Sequence, residues 1–225
     1  MANNLAQTGT VTGIIEAAAR LFSRFGYTRV TMEEIAAEAG LKKGSLYYYY
    51  AAKEDLFREV VETRRNEFRS RVMLILKASE SASERLEDYA LARFDYFKNL
   101  QALNIPDFRE SSGRARVLME MFTRHAQEEL EWLTELLESG RLRGEFHVPS
   151  SRKMAELLLH VLQGLRLRFM RESENLRPDN AAFTRLRREI VMFTGVLLTG
   201  IQCGRPARPT GTSRVTTRVR GRKQR

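Results

Sequence analysis

An all-α chain, with a small helical head at its N-terminus and a larger helical bundle behind it, is what these 225 residues predict. Three observations carry that expectation. Apolar residues return every three or four positions through nearly every long segment, the period of an amphipathic helix. Two stretches, Thr31 with Glu34 and Ser81 with Glu84, have the capping-box spacing that opens a helix. A content of 14 glycines and only 5 prolines suits a mostly helical protein. About nine helices are expected.

Residues 1–9 read as a disordered lead. A first helix from about Thr10 to Phe25 places Ile14, Ile15, Ala18, Leu21, Phe22 and Phe25 on one face, and Gly26 stands where a C-terminal glycine cap belongs. Thr31–Lys53 follows as two short helical patterns around a turn at Gly40. Met32, Ile35, Ala36 and Ala39 set the first face, and Leu46 and Tyr49 resume it. Two helices across so short a turn form a helix-turn-helix, whose second helix can enter a DNA major groove.

That second helix is built as a contact surface. No acidic residue lies between Ala39 and Lys53, while Lys42, Lys43, Ser45 and four consecutive tyrosines, Tyr47 to Tyr50, do. Four successive residues cover nearly every direction around a helix, so one or two phenols must face outward. There they can donate to phosphate or lie on a thymine methyl. Gly44 would let the backbone approach a duplex closely. An ordinary helical hairpin with a solvated lysine pair explains the periodicity but not the uncharged tyrosine run.

A long helix from Lys53 to about Lys77 carries Leu56, Phe57, Val60, Val61, Phe68, Val72 and Ile75 as its stripe. Lys53 at its N-terminus opposes the helix dipole, which favours an anionic partner there. A fifth helix spans about Glu84 to Ala102. Asn104-Ile105-Pro106 breaks it and could start a short sixth, which Ser111-Ser112-Gly113 ends. A seventh runs from about Arg114 to Ser139, an eighth from about Ser150 to Arg171, and a ninth from about Asn180 to Ile201. The last two are apolar on more than one side and need two partners. The chain thus divides into 1–9, a helix-turn-helix domain at 10–52, a ligand-binding and dimerisation domain at 53–203, and a basic disordered tail at 204–225.

Composition narrows the function classes. Hydrophobic residues at 43% and charged residues at 29% describe a globular protein. No apolar run is long enough to span a bilayer, and MANNLAQTGT lacks the plan of a signal peptide. Cys203 is the only cysteine, so no intrachain disulfide forms and a reducing cytoplasm is expected. The net charge of +10 is concentrated in the tail: eight uncompensated cations lie in residues 204–225, leaving +2 elsewhere. Residues 1–55 are balanced, so a DNA reading rests on local placement. His125, His147 and His160 stand far apart, outside any metal-ligand spacing, and there is no glycine-rich phosphate loop or nucleophile elbow. No enzyme, metal or cofactor is expected.

The block IIEAAARLFSRFGYTRVTMEEIAAEAGLKKGSLYYYYAAKEDLF, residues 14–57, resembles the DNA-binding domain of the tetracycline-repressor (TetR) family. The matches run in order: Ala17-Ala18, Leu21-Phe22, Gly26-Tyr27, Thr31, Ile35-Ala36, Ala39-Gly40, then Lys43-Gly44-Ser45-Leu46-Tyr47 and Lys53-Glu54. The family often has histidine then tyrosine-phenylalanine after the first tyrosine, where this chain has Tyr48-Tyr49-Tyr50. The resemblance implies a homeodomain-like head and a transcriptional regulator, a repressor released from a palindromic operator by a small hydrophobic ligand. With it, Lys42, Lys43, Gly44, Ser45, Tyr47 and Tyr48 are expected to face bases and nearby phosphates, and Thr31, Tyr49 and Lys53 to hold the backbone.

The same resemblance implies a homodimer through the last two helices, presenting two reading helices about 34–36 Å apart on double-stranded DNA. It also implies an effector pocket in the body, for which Phe94, Phe97, Met119, Phe122, Trp132, His160 and Gln163 are the candidates. Two other classes compete: an architectural, nonspecific DNA binder that relies on the basic tail, and a helical enzyme or carrier with a vestigial head.

Overall fold

In a computed structural model of the chain, residues 2–103, 113–172 and 178–202 are described. Eight helices form among them: α1 (Ala2–Phe25), α2 (Met32–Glu38), α3 (Lys43–Tyr49), α4 (Lys53–Lys77), α5 (Ala82–Ala102), α6 (Gly113–Leu142), α7 (Ser151–Glu172) and α8 (Asn180–Ile201). The expected short helix near Pro106 and the tail 204–225 lie outside the described residues. The lead of residues 1–9 needs correction, because α1 begins at Ala2. Alanine, leucine and glutamine are good helix formers, no proline interrupts them, and the first helix simply extends backwards through them.

The local signals act as their chemistry requires. The Thr31 hydroxyl accepts the Glu34 amide at 3.2 Å while the Glu34 carboxylate takes the Thr31 amide at 2.8 Å. Ser81 and Glu84 repeat that exchange at the start of α5. Gly26 has φ +83° and Gly40 φ +69°, left-handed values that only glycine adopts without strain. They turn the chain out of α1 and out of α2.

Two apolar cores share α4. Leu56, Phe57, Val60 and Val61 pack with Ile14, Phe22, Ile35 and Leu46 in the head. Phe68, Val72 and Ile75 pack with Leu86, Tyr89, Leu133 and Leu158 in the body. In the body α4 lies on α5, α6 on α7, and α5 on α8. Tyr96 touches both cores and stacks on Phe68 at 4.8 Å.

The far end of the body is closed by a corner after α6. Gly144, at φ +72°, turns the chain, and Phe146 then pairs with Gln202 in an isolated antiparallel bridge. The His147 amide donates to the Ile201 carbonyl at 2.6 Å, and Gln202 reaches Ser83 at 2.9 Å. The Phe146 ring covers Gly140: a Cβ there would stand 2.5 Å from Phe146 Cδ2 and 2.7 Å from Ala82 Cβ. Gly140→Ala should therefore destabilise by about 1–3 kcal/mol through overpacking, although alanine is the better helix former. Urea unfolding checks this, and equal or greater stability of the variant would contradict the close approach.

Candidate nucleic-acid interface and body cleft

The helix-turn-helix is assembled from beneath. Leu46 is fully buried under α3 against Ile35 and Phe57, so the opposite side of α3 must face out. Lys42, Lys43, Gly44, Ser45, Tyr47 and Tyr48 are exposed, Tyr48 at 78% of its surface. Tyr49 and Tyr50 are half-buried and pack on the head core. The four-tyrosine run thus splits into two outward and two inward phenols. Tyr48 and Tyr49 meet edge to face at 5.3 Å, which orients the exposed ring.

Gly44 has no internal reason to be glycine. Its φ is not left-handed, and a Cβ placed there would meet nothing within 4 Å. Lys43 forms an ion pair with Glu33 of α2, and its ammonium lies 5.9 Å from the Tyr47 ring. An acidic group therefore does reach the surface that is acid-free within its own segment. The hydrogen bond from Lys43, with its charge beside it, lowers the Glu33 pKa and raises that of Lys43.

Two of the expected backbone contacts have work inside the chain. The Thr31 hydroxyl serves the capping box, donating to Glu34 Oε2 at 2.9 Å. Lys53 is half-buried and donates from Nζ to the carbonyls of Tyr27 and Val30 at 2.9 and 2.7 Å, with the Tyr27 ring 4.5 Å away. The cation set against the dipole of α4 is thus held by the loop between α1 and α2. It stabilises the head whether or not it also meets phosphate.

In the body, a shallow cleft lies between α5, α7 and α8, with about 250 Å³ of empty space in and over it, open solvent included. Phe94 and Phe97 line it, together with Leu162, Leu186 and Ile190. Trp132 does not; it is buried against Arg65 at 4.7 Å and Phe68 at 6.2 Å. His160 and Gln163 must be corrected too, because both are exposed on the outer side of α7. Position on the helix decides this: Ala155, Leu158, Leu162 and Phe169 take the buried face. The side chains of Met119 and Phe122 lie outside the described residues.

Sequence reasoning missed the two polar members of the cleft, Arg93 and Arg166. Their spacing held a signal. Arg93 lies one turn from Tyr89 and Phe97, and Arg166 one turn from Leu162 and Phe169, so each falls on a buried face. Arg93 Nε donates to Glu129 Oε1 at 2.7 Å, and the Tyr89 hydroxyl donates to the same oxygen at 2.8 Å. Burial lowers the Arg93 pKa, but the charges of Glu129 and Tyr89 and the hydrogen bonds to them together outweigh it and leave the group raised. Burial, and then the like charge of Arg93, lower that of Arg166.

Comparison with known proteins now bears on this geometry. The family described as bacterial regulatory proteins, tetR family, matches residues 14–60. Similar proteins include the uncharacterized HTH-type transcriptional regulator YhgD of Bacillus subtilis, 27% identical over 128 residues, 56% of this chain and 66% of that protein. Another is the biofilm operon icaADBC HTH-type negative transcriptional regulator IcaR of Staphylococcus epidermidis, 44% identical over 55 residues, 24% of this chain and 30% of its own. The chain thus spans less than two thirds of the length of these curated relatives. A crystal structure of a transcriptional regulator from Cytophaga hutchinsonii superposes with TM-score 0.78 at 29% identity, covering 84% of this chain and 97% of the other.

Lys53→Met, which keeps the aliphatic stem and removes the charge-assisted donors, should cost the fold about 1.5–3 kcal/mol. Chemical denaturation in the absence of DNA measures it. An unchanged midpoint would mean that the two loop carbonyls do not depend on this ammonium.

Proposed function

We propose, for a chain that belongs to the TetR family of bacterial transcriptional regulators, that it represses transcription as a homodimer on a palindromic operator and lets go when a small ligand enters its body. DNA binding by the helix-turn-helix head is the family's activity; the dimer, the operator preference and the ligand response are the finer reading. The observation that carries it is the outer face of α3. Leu46 pins that helix from below, while Tyr47, Tyr48, Ser45 and Lys42 stand free above it and Gly44 keeps its backbone bare.

In this reading α3 lies in the major groove. Gly44 lets the main chain come near the sugar–phosphate wall, and Tyr47, Tyr48 and Ser45 offer hydroxyl donors to phosphates and base edges. Lys43 would exchange Glu33 for a phosphate or a guanine edge, a low-cost exchange because the existing pair is solvent-exposed. Lys42 adds a second cation at the same end. Seven residues of reading helix give little affinity alone, which is why pairing of two heads matters.

Support for the pairing comes from α7 and α8. Leu157, Leu167 and Met170 on α7, and Val191, Met192 and Val196 on α8, are exposed, the last two at 68% each. Gly164, Gly195 and Gly200 have open space where a Cβ would stand, so a second helix could approach closely there. His160 and Gln163 share this outer side of α7, which assigns them to the subunit contact rather than to an effector pocket. An exposed apolar face on two adjacent helices is what a four-helix interface between copies requires.

Operator selection from a random DNA pool, followed by gel shifts, tests the reading. Tyr47→Ala should lose about 1–3 kcal/mol of binding and relax the sequence preference. Gly44→Ala should raise fold stability by about 0.5–1 kcal/mol yet weaken DNA binding, opposite signs that only an external backbone contact produces. Parent-like binding by both variants would reject α3 as the reading element. For the dimer, Val196→Glu should turn a sedimenting dimer into a monomer and abolish the shift; a parent that sediments as a monomer at all concentrations would reject the pairing.

A further inference from the structure

The cleft between α5, α7 and α8 holds one more positive charge than the fold uses. Glu129 is the carboxylate that faces its guanidinium groups, and it is already occupied by Arg93 and by the Tyr89 hydroxyl. Arg166 is left over. Its Nε is buried without a hydrogen-bond partner, and among the described residues no carboxylate stands within ion-pair distance of it. Its guanidinium carbon lies 5.8 Å from the centre of the Phe97 ring. Arginine cannot shed its proton to escape, so the charge stays and its desolvation counts against the folded state. An uncompensated cation beside an apolar floor is a poor structural element and a good half of a binding site.

The surroundings fix the other half. Phe97 meets Phe169 at 5.8 Å, and Phe169 meets Phe183 at 5.0 Å, so an aromatic shelf runs from the cleft across α7 to α8. Lys98 lies over the Phe183 ring at 5.5 Å and adds a second cation at that edge. We propose that this cleft binds an amphiphilic anion, a short acyl or aromatic group bearing one carboxylate or phosphate, with the head against Arg166 and the tail on Phe94, Phe97 and Leu162. The proposal rests on the ligand-responsive reading above only for its regulatory consequence, because binding itself requires no DNA.

Calorimetric titration of the full chain with octanoate, octyl phosphate, 1-octanol and octylammonium tests it. The two anions differ only in head group and so separate a carboxylate from a phosphate ligand; binding of either, with the alcohol and the amine markedly weaker, is the expected result. Arg166→Gln should weaken the anion about 10- to 100-fold, the worth of one charged hydrogen bond, while Arg166→Lys retains part of it. The Gln variant without ligand should melt no lower than the parent, since it removes an unpaired buried charge. Equal binding of 1-octanol and octanoate, no binding of any probe, or undiminished anion binding by Arg166→Gln would each overturn the proposal. Gel shifts on the same preparations keep the two readings apart: loss of DNA binding sinks the regulator and leaves the anion site standing.

Discussion

A guanidinium almost sealed from solvent sits where the two cores of this chain meet. Arg65 of α4, 2% exposed, donates to the His125 carbonyl of α6 at 2.8 Å and lies 3.6 Å from Glu128. Its carbon stands 4.7 Å from the Trp132 ring and 5.3 Å from Phe68. One turn earlier on α4, Glu62 receives Arg124 and faces His125 at 3.2 and 3.3 Å. The Nε of Arg65 has no hydrogen-bond partner, so the charge depends on these few contacts, and α4 cannot rotate against α6 without losing them. The first half of α4 belongs to the head and the second to the body, so this anchorage helps set how the head is carried, together with Tyr96, Leu100 and Leu103, which pack on the head core.

The cleft is wired to the same helix. Glu129, which pairs with Arg93 at the cleft, stands next to Glu128, which pairs with Arg65. Burial and then the Glu129 charge push the Tyr89 hydroxyl well above its ordinary pKa, and burial pushes Tyr96 up to about 12, so both phenols stay neutral and Tyr89 stays a donor to Glu129. Arg93 thus ties the cleft to α6, one residue from the position that holds α4. The charged residues along this path are Arg93, Glu129, Glu128 and Arg65, and it ends on α4.

Much of the head was legible because its determinants are local. Capping boxes act over three residues, a left-handed glycine over one, and the tyrosine run needed only helical geometry to show that it must split inward and outward. The bounds of α4 follow from period alone, and those of α8 from period with the Asp179 cap. What stayed hidden is set across the fold. Lys53 looks like an anion hook until the carbonyls of Tyr27 and Val30 arrive from another segment to occupy it. His160 and Gln163 look like pocket groups on an apolar helix, but α7 has two apolar sides and only one of them faces the cleft. Arg65, Arg93 and Arg166 read as solvated charges, yet each falls one turn from large apolar residues. A cation on the buried stripe of a helix was the signal available, and it points to function more strongly than any lone histidine did.

Several features of this chain make sense only if something outside it is added. Gly44 weakens a seven-residue helix without easing any internal contact, Met192 and Val196 hold apolar surface in water, and Arg166 keeps a buried Nε without a hydrogen-bond partner. Each is a cost of the isolated chain, and the three lie in separate places: the tip of the head, the outer face of α7 and α8, and the cleft of the body. They also differ in chemistry, one asking for a polyanion that the backbone can approach, one for a matching apolar helix pair, one for a single anion with an apolar tail. α8 belongs to two of the three, giving Leu186 and Ile190 to the cleft and Met192 and Val196 to the outer face. The same helix thus lines the cleft with one side and holds exposed apolar surface on another.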